Sequence, residues 1–217
     1  MTDVWSERAE GYRRSAVHRE GADLDLLVEW CEPGEGVKAL DVATGGGHVA
    51  RRLREAGCEV VSVDPAPGMQ PTVVARGEDL PFADDSFDVV ACRIAAHHFE
   101  DVAGSVREMA RVTRDRVVVE DNVFVSEVVE EAEKLRDPTH VRCYSVDEWH
   151  EFFAEAGLRV EAEEPFERRA DFDAWLERVE TPEGDAARVR ELLADRIVDG
   201  ELLLRSVVFK TRKDGAA

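Results

Sequence analysis

Hydrophobic residues along the chain fall into short continuous runs that alternate with amphipathic stretches. Runs such as "KALDV", "EVVSVD", "FDVVAC" and "RVVVED" have the length and β-branched content of strands buried on both faces. With "TVVAR" they predict strands over 38–42, 59–64, 72–76, 87–92 and 116–121. Between them, apolar residues recur at helical spacing and predict helices over 48–56 and 103–112. Near the amino terminus "DLDLLVEWC" forms an amphipathic helix that Pro33 and Gly34 end. Further on, "SVDEWHEFFAEAG" opens with Ser145 and Glu148 as a capping box and stops at Gly157. Its Trp149, Phe152, Phe153 and Ala156 share one face, a stripe that reads as core packing. Strands over 158–164 and 202–210 flank helices over 172–179 and 185–198. The alternation predicts an α/β fold around a mostly parallel sheet, with no internal repeat and no low-complexity linker.

One connection breaks the pattern. Only "PAPGMQP", residues 65–71, separates the second strand from the third, and Pro65, Pro67 and Pro71 forbid a regular helix there. Parallel strands normally need a crossover of a dozen or more residues, usually helical. The second crossover helix is therefore expected to be missing.

The stretch "ALDVATGGGHVA" runs a strand into glycines and then a helix. Such a turn lets a ligand approach the backbone and offers it the free N–H groups of a helix start. Gly45, Gly47 and Ala50 satisfy the dinucleotide pattern GxGxxG/A, with Asp64 at about the distance of a ribose-binding acid. Asp41, however, ends the strand before the glycines, where it would repel a pyrophosphate and suit a cationic amino group.

Together with "VVSVDPAPGM", "GEDLPFADDSFDVVACRIAAHHF" and "LRDPTHVRCYSVDEWHEFFAEAGL", this stretch resembles the class I S-adenosylmethionine-dependent methyltransferases. Within them the chain is most similar to the small single-domain group related to ubiquinone and menaquinone C-methyltransferases. The resemblance implies a Rossmann-like, doubly wound fold whose mostly parallel, seven-stranded sheet has its last strand antiparallel. It implies one domain over 1–217, with a helical lid at 1–32, a cofactor-binding half at 36–121 and an acceptor-side half at 122–212. S-adenosyl-L-methionine is the implied cofactor and a small molecule the implied methyl acceptor. By position, Asp41 would hold the methionine amino group, over a turn formed by Ala43, Gly45 and Gly47. Asp64 would accept from the ribose hydroxyls and Met69 would pack on the adenine, bordered by Glu78, Asp79 and Leu80. Arg93 would lie near the methionine portion. Arg76 departs from the pattern, standing near where many relatives place an acid, and arginine offers no acceptor.

Methyl transfer from a sulfonium needs a base only when the acceptor must lose a proton. His98, His97 and Tyr12 are the expected catalytic candidates, with His18, His140 and Tyr144 as further titratable groups nearby. No metal is expected: Cys31, Cys58, Cys92 and Cys143 are dispersed without a CxxC pair and read as reduced buried thiols. Two other readings stay open, a noncatalytic domain that binds the cofactor and a nicotinamide-dependent oxidoreductase.

Charge narrows the partners. The 217 residues carry a net charge of −20, and only Lys38, Lys134, Lys210 and Lys213 of the 28 basic residues are lysine. Such a surface repels nucleic-acid phosphates and anionic lipid. No apolar run approaches the roughly 18 residues of a membrane span, and the charged start has no signal-peptide pattern, so a cytoplasmic protein is expected. Self-repulsion of this size is relieved by salt, which at molar strength screens charges over about 3 Å. A salt-rich cytoplasm is the expected setting, and the midpoint of thermal unfolding should rise between dilute buffer and molar KCl. A midpoint that falls would remove the halophilic reading.

Overall fold

A computed structural model describes residues 4–215. Three helices, α1 (Val4–Arg14), α2 (Ala16–Arg19) and α3 (Ala22–Trp30), precede the sheet. The sheet then begins with β1 (Lys38–Val42), α4 (His48–Glu55) and β2 (Glu59–Asp64), followed by the short β3 (Val73–Val74). It continues with β4 (Phe87–Arg93), α5 (Val102–Val112) and β5 (Thr113–Asn122). The remainder of the chain holds α6 (Glu127–Arg136), α7 (Val146–Glu155), β6 (Leu158–Asp171), α8 (Phe172–Glu177), α9 (Glu183–Leu192), β7 (Ile197–Val198) and β8 (Glu201–Lys213).

The strand order is β3-β2-β1-β4-β5-β8-β6, with β7 paired to β8. Ladders from β3 to β5 are parallel, and β8 runs antiparallel to β5, β6 and β7. The antiparallel final strand was expected; β7 raises the count from seven strands to eight. Leu24, Leu27 and Leu53 of α3 and α4 pack on one face of the sheet. Met109, Trp149 and Phe153 of α5 and α7 cover the other, so strands that read as continuous apolar runs are buried twice. The predicted capping box on α7 is formed by Ser145 and Glu148.

As the prolines require, the crossover from β2 to β3 contains no α-helix, only a single 3-10 turn at Pro67–Met69. The vacant place is taken by α1. Gly68 N–H donates to Ser6 Oγ at 2.8 Å, and Arg13 donates to the Gly68 carbonyl at 3.0 Å. A Cβ on Gly68 would stand 2.5 Å from Ser6 Cα, so glycine is what permits this approach.

Two features depart from the sequence expectations. The strands expected at 158–164 and 202–210 extend into a long ribbon, paired from Leu158↔Lys213 to Asp171↔Glu201. Its far end carries α8 and α9, which with α6 enclose a separate cluster of Phe172, Trp175, Leu176, Val189 and Leu193. The helix expected over 185–198 ends at Leu192, because the chain turns at Ala194–Arg196 into β7.

Candidate active site

The strand order reverses between β1 and β4, and in open α/β sheets ligands bind beyond the carboxyl ends of the strands at such a point. A cavity of about 390 Å³ lies there, lined by the ends of β1, β2 and β4 and roofed by Trp5, Tyr12 and His18 of the amino-terminal helices. Both strand ends are strained. Ala43 (φ 54°) and Ile94 (φ 50°) occupy the left-handed region, which a β-branched residue such as Ile94 avoids unless its surroundings impose it. Hydrogen bonds from Thr44 N–H to Val63 O (2.9 Å) and Ile94 N–H to Glu120 O (2.7 Å) hold these turns.

Two carboxylates shape the floor. Asp41, buried at the end of β1, accepts at Oδ2 from the Thr44 hydroxyl and from Ala50 N–H (3.1 Å), which pins the glycine turn and the first turn of α4. Burial pushes its pKa from 3.8 up to about 6, the Asp64 charge adding to this while the two hydrogen bonds oppose it. Among the described residues Asp41 has no ion-pair partner. Asp64 accepts from Gly45 N–H at 3.0 Å and from Ala66 N–H at 2.9 Å, joining the glycine turn to the shortened crossover.

Of the residues implied for the cofactor, Asp41, Ala43, Gly45, Asp64, Met69, Glu78 and Arg93 line the cavity. Gly47, Asp79 and Leu80 do not. Gly47 (φ 75°) caps α4, while Leu80 is buried with its N–H donated to Glu108 at 2.9 Å. Arg76 lines the cavity and pairs with Glu78 (3.4 Å) and Glu100 (3.3 Å). The Arg93 side chain is 4% exposed, and its guanidinium is engaged by Asp23, Glu120 (2.7 Å) and the His18 carbonyl (2.9 Å). It thereby ties α2 and α3 to the sheet. Glu120 is in turn raised to about 7 by burial, which its arginine neighbours oppose.

The catalytic candidates separate. His98 and Tyr12 line the cavity, as does His18; His97, His140 and Tyr144 do not. His98 Nδ1 lies 3.0 Å from the Thr139 carbonyl, an acceptor, so Nδ1 carries the proton and Nε2 presents a lone pair. Burial, then the neighbouring His97, hold its pKa well below 6.5. His97 is raised instead: burial lowers it, but the Asp121 carboxylate at its Nδ1 outweighs that. Asp137 fixes the Thr139 loop, accepting from Thr139 N–H (3.0 Å) and from Arg8 of α1 (3.2 Å).

Several cavity residues carry no sequence signal of their own, among them His48, Phe99, Thr139 and Val141. Trp5 had one usable sign, since it stands seven residues before Tyr12 and so shares a face of α1. Spacing along the chain put no carboxylate or cysteine at ligand distance from the His97–His98 pair. Elsewhere the fold brings the ligand atoms of Glu130, His140 and Cys143 within 4.8 Å of one another. Glu130 accepts there from His140 Nε2 (3.1 Å) and from Cys143 N–H (3.2 Å), which ties α6 to the following loop.

A family profile described as a methyltransferase domain matches residues 40–119, the stretch that builds this floor. The chain is 35% identical to the methyltransferase YcgJ of Bacillus subtilis, itself uncharacterised, over 201 residues that span 82% of this chain and 79% of that one. The crystal structure of YcgJ superposes with a TM-score of 0.81 at 27% identity, covering 88% of this chain and 97% of that one. This chain belongs to the class I S-adenosylmethionine-dependent methyltransferases. A demethylmenaquinone methyltransferase of Corynebacterium urealyticum is 38% identical over 87 residues, 36% of this chain and 38% of that one. Geranyl diphosphate methyltransferase, solved with geranyl diphosphate and sinefungin, shares the fold with a TM-score of 0.67 at 16% identity, over 92% of this chain and 80% of that one.

In this methyltransferase Arg93 has a structural load that can be measured. Arg93→Met would leave Asp23 and Glu120 buried without their shared cation, and breaking such a pair costs roughly 3–5 kcal/mol. The loss should be larger at pH 8 than at pH 5, because carboxylates stripped of their cation are penalised only when ionised. Urea unfolding at the two pH values reads both the size and the sign; a loss under about 1 kcal/mol would show that the network carries little.

Proposed function

We propose that this methyltransferase moves a methyl group from S-adenosylmethionine to a small-molecule acceptor held beneath α1 and α2. The observation that carries the reading is Asp41, a buried carboxylate facing the cavity with no cation beside it among the described residues. A ligand bearing an ammonium group would supply that cation; a pyrophosphate would add charge of the wrong sign.

The other residues fit the same ligand. Asp64, which accepts from the Gly45 and Ala66 N–H groups at the end of β2, is the carboxylate positioned for the ribose hydroxyls. Met69 and Phe99 offer apolar surface for a purine, with Glu78 beside them as an acceptor. When bound, the cofactor supplies a methyl carbon on a sulfonium, open to in-line displacement. The chain's own work is to orient the acceptor and to exclude water, which falls to Trp5, Tyr12, Phe99 and Val141. His98 Nε2, unprotonated at neutral pH, is the atom placed to take a proton from an acceptor hydroxyl.

Two measurements test this. Saturating S-adenosylmethionine or S-adenosylhomocysteine at about 100 times its Kd should add about 2.7 kcal/mol and raise the unfolding midpoint by about 5 to 10 °C, with no shift from NADH. Binding without turnover over a panel of acceptors would favour the noncatalytic reading, and a shift with NADH alone would favour an oxidoreductase.

The second measurement uses pH. The Asp41 proton is held up to about pH 6 in the folded chain but only to 3.8 in the unfolded one. The carboxyl therefore costs stability progressively as pH rises through that window, and a ligand cation recovers it. S-adenosylhomocysteine should bind about tenfold more weakly at pH 5 than at pH 7.5. Asp41→Asn should abolish that dependence, weaken the ligand and stabilise the free protein above pH 6. A destabilised Asp41→Asn protein with unchanged affinity would sink the assignment.

A further inference from the structure

His140 stands between Thr139 and Val141, which both line the cavity, yet its own side chain is turned to a different set of partners. Glu130 of α6 meets His140 and Cys143 of the following loop, and the three residues are only 5 to 6% exposed. Their ligand atoms all lie within 4.8 Å of one another, with His140 Nε2 and Glu130 Oε2 at 3.1 Å. Zinc holds nitrogen, oxygen and sulfur ligands at roughly 2.0–2.3 Å, so tetrahedral geometry sets those ligands about 3.3 to 3.8 Å apart. The cluster is therefore within about 1 Å of the spacing such an ion imposes. His140 and Cys143 also have the two-residue separation with which a single loop supplies two ligands to one ion. Cys143 N–H donates to both oxygens of Glu130, at 3.3 and 3.2 Å, a supporting contact that orients the carboxylate.

Charge points the same way. A carboxylate and a thiolate beside a neutral imidazole, all out of water, are neutralised together by one divalent cation. The mixed oxygen, nitrogen and sulfur set suits zinc, whereas magnesium and calcium take oxygen ligands. A fourth position is also provided for. A second cavity, of about 20 Å³, is bordered by Cys143, Asn122 and Glu133, and this is room for one water molecule. Asn122 Oδ1 is buried without a hydrogen-bond partner among the described residues, an acceptor for a water placed there.

We infer that Glu130, His140 and Cys143 bind one zinc ion, completed by a water molecule, and that the ion clamps α6 to the loop carrying Thr139 and Val141. Cysteine spacing could not show this site, because only one of its ligands is a cysteine. The inference stands apart from the methyl-transfer reading, since none of the three ligands lines the cofactor cavity. On binding, the Cys143 thiol proton leaves to solvent as the sulfur–zinc bond forms, and His140 Nε2 gives its lone pair. Affinity therefore falls as pH falls. Because the Thr139 carbonyl holds the His98 tautomer, the ion steadies that part of the cavity wall from outside.

The test takes the full chain, stripped with a chelator, and titrates it with Zn²⁺ and, separately, with Co²⁺. Zinc should bind at one ion per chain with release of protons, and at about 100 times its Kd should raise the unfolding midpoint by about 5 to 10 °C. Amide exchange over residues 137–143 should slow at the same time. Cobalt should give a thiolate-to-metal charge-transfer band that Cys143→Ser removes. Losing a supporting hydrogen bond costs a metal site about 10- to 100-fold, so losing a ligand in Cys143→Ser or His140→Gln should raise the zinc Kd at least about a hundredfold. His150→Gln, which removes an exposed histidine beside Glu163, should leave that Kd unchanged.

A wild-type chain that takes up no stoichiometric zinc, or a cobalt spectrum without the thiolate band, overturns the inference, and both are read without any variant. A zinc Kd indifferent to Cys143→Ser and His140→Gln overturns it as well. If Glu130, His140 and Cys143 form only a hydrogen-bonded cluster, zinc leaves the wild-type midpoint where it was.

Discussion

A carboxylate at the carboxyl end of a central strand, cut off from water, has to be met by hydrogen bonds or by a cation. Asp41 is met by hydrogen bonds on one oxygen only, and those bonds fix the geometry around it. The Thr44 hydroxyl and Ala50 N–H converge on Oδ2, so the glycine turn and the start of α4 are set by the same atom. The strand pairing Asp41↔Ser62 and Val42↔Val63 brings Asp64 to the same edge, and neither acid can retreat without breaking the parallel ladder. Burial first, with the Asp64 charge adding to it, raises the proton affinity of Asp41, as the value near 6 records. The fold thus holds a buried carboxylate that has no ion-pair partner among the described residues.

The same economy governs α1. Three prolines remove the helix that would cover β2 and β3, and α1 occupies its place through Ser6 and Arg13 on Gly68. That helix is also fastened to the other side of the cavity, by Arg8 to Asp137 and Val179 and by the Tyr12 carbonyl to His48 at 3.0 Å. One helix therefore bridges the glycine-turn side of the cavity and the loop that holds the His98 tautomer, and displacing it would loosen both.

How much of this could be read from the sequence follows from where burial is two-sided. Strands β1, β2, β4 and β5 and the turn around Gly45 were legible, because buried strands write continuous apolar runs and glycine turns write glycines. The missing crossover helix was legible from Pro65, Pro67 and Pro71. Helix α6 was not, since its buried residues are Glu130 and Ala132 and its surface is charged, which gives no apolar period. The far half of the ribbon was hidden for a related reason. "EEPFERRAD" is exposed at most positions, and its strand character comes from pairing with β8. Arg93 was assigned from its position near the cofactor, whereas its three partners lie on α3, β5 and the stretch around α2, contacts that no local pattern encodes.

Charge is arranged by dielectric as well as by position. The acidic excess lies mostly on exposed side chains, where salt screens it within a few ångströms at molar strength. Arg93 lies out of water between Asp23 and Glu120, where screening is weak and each charge depends on its partner far more than a surface charge does.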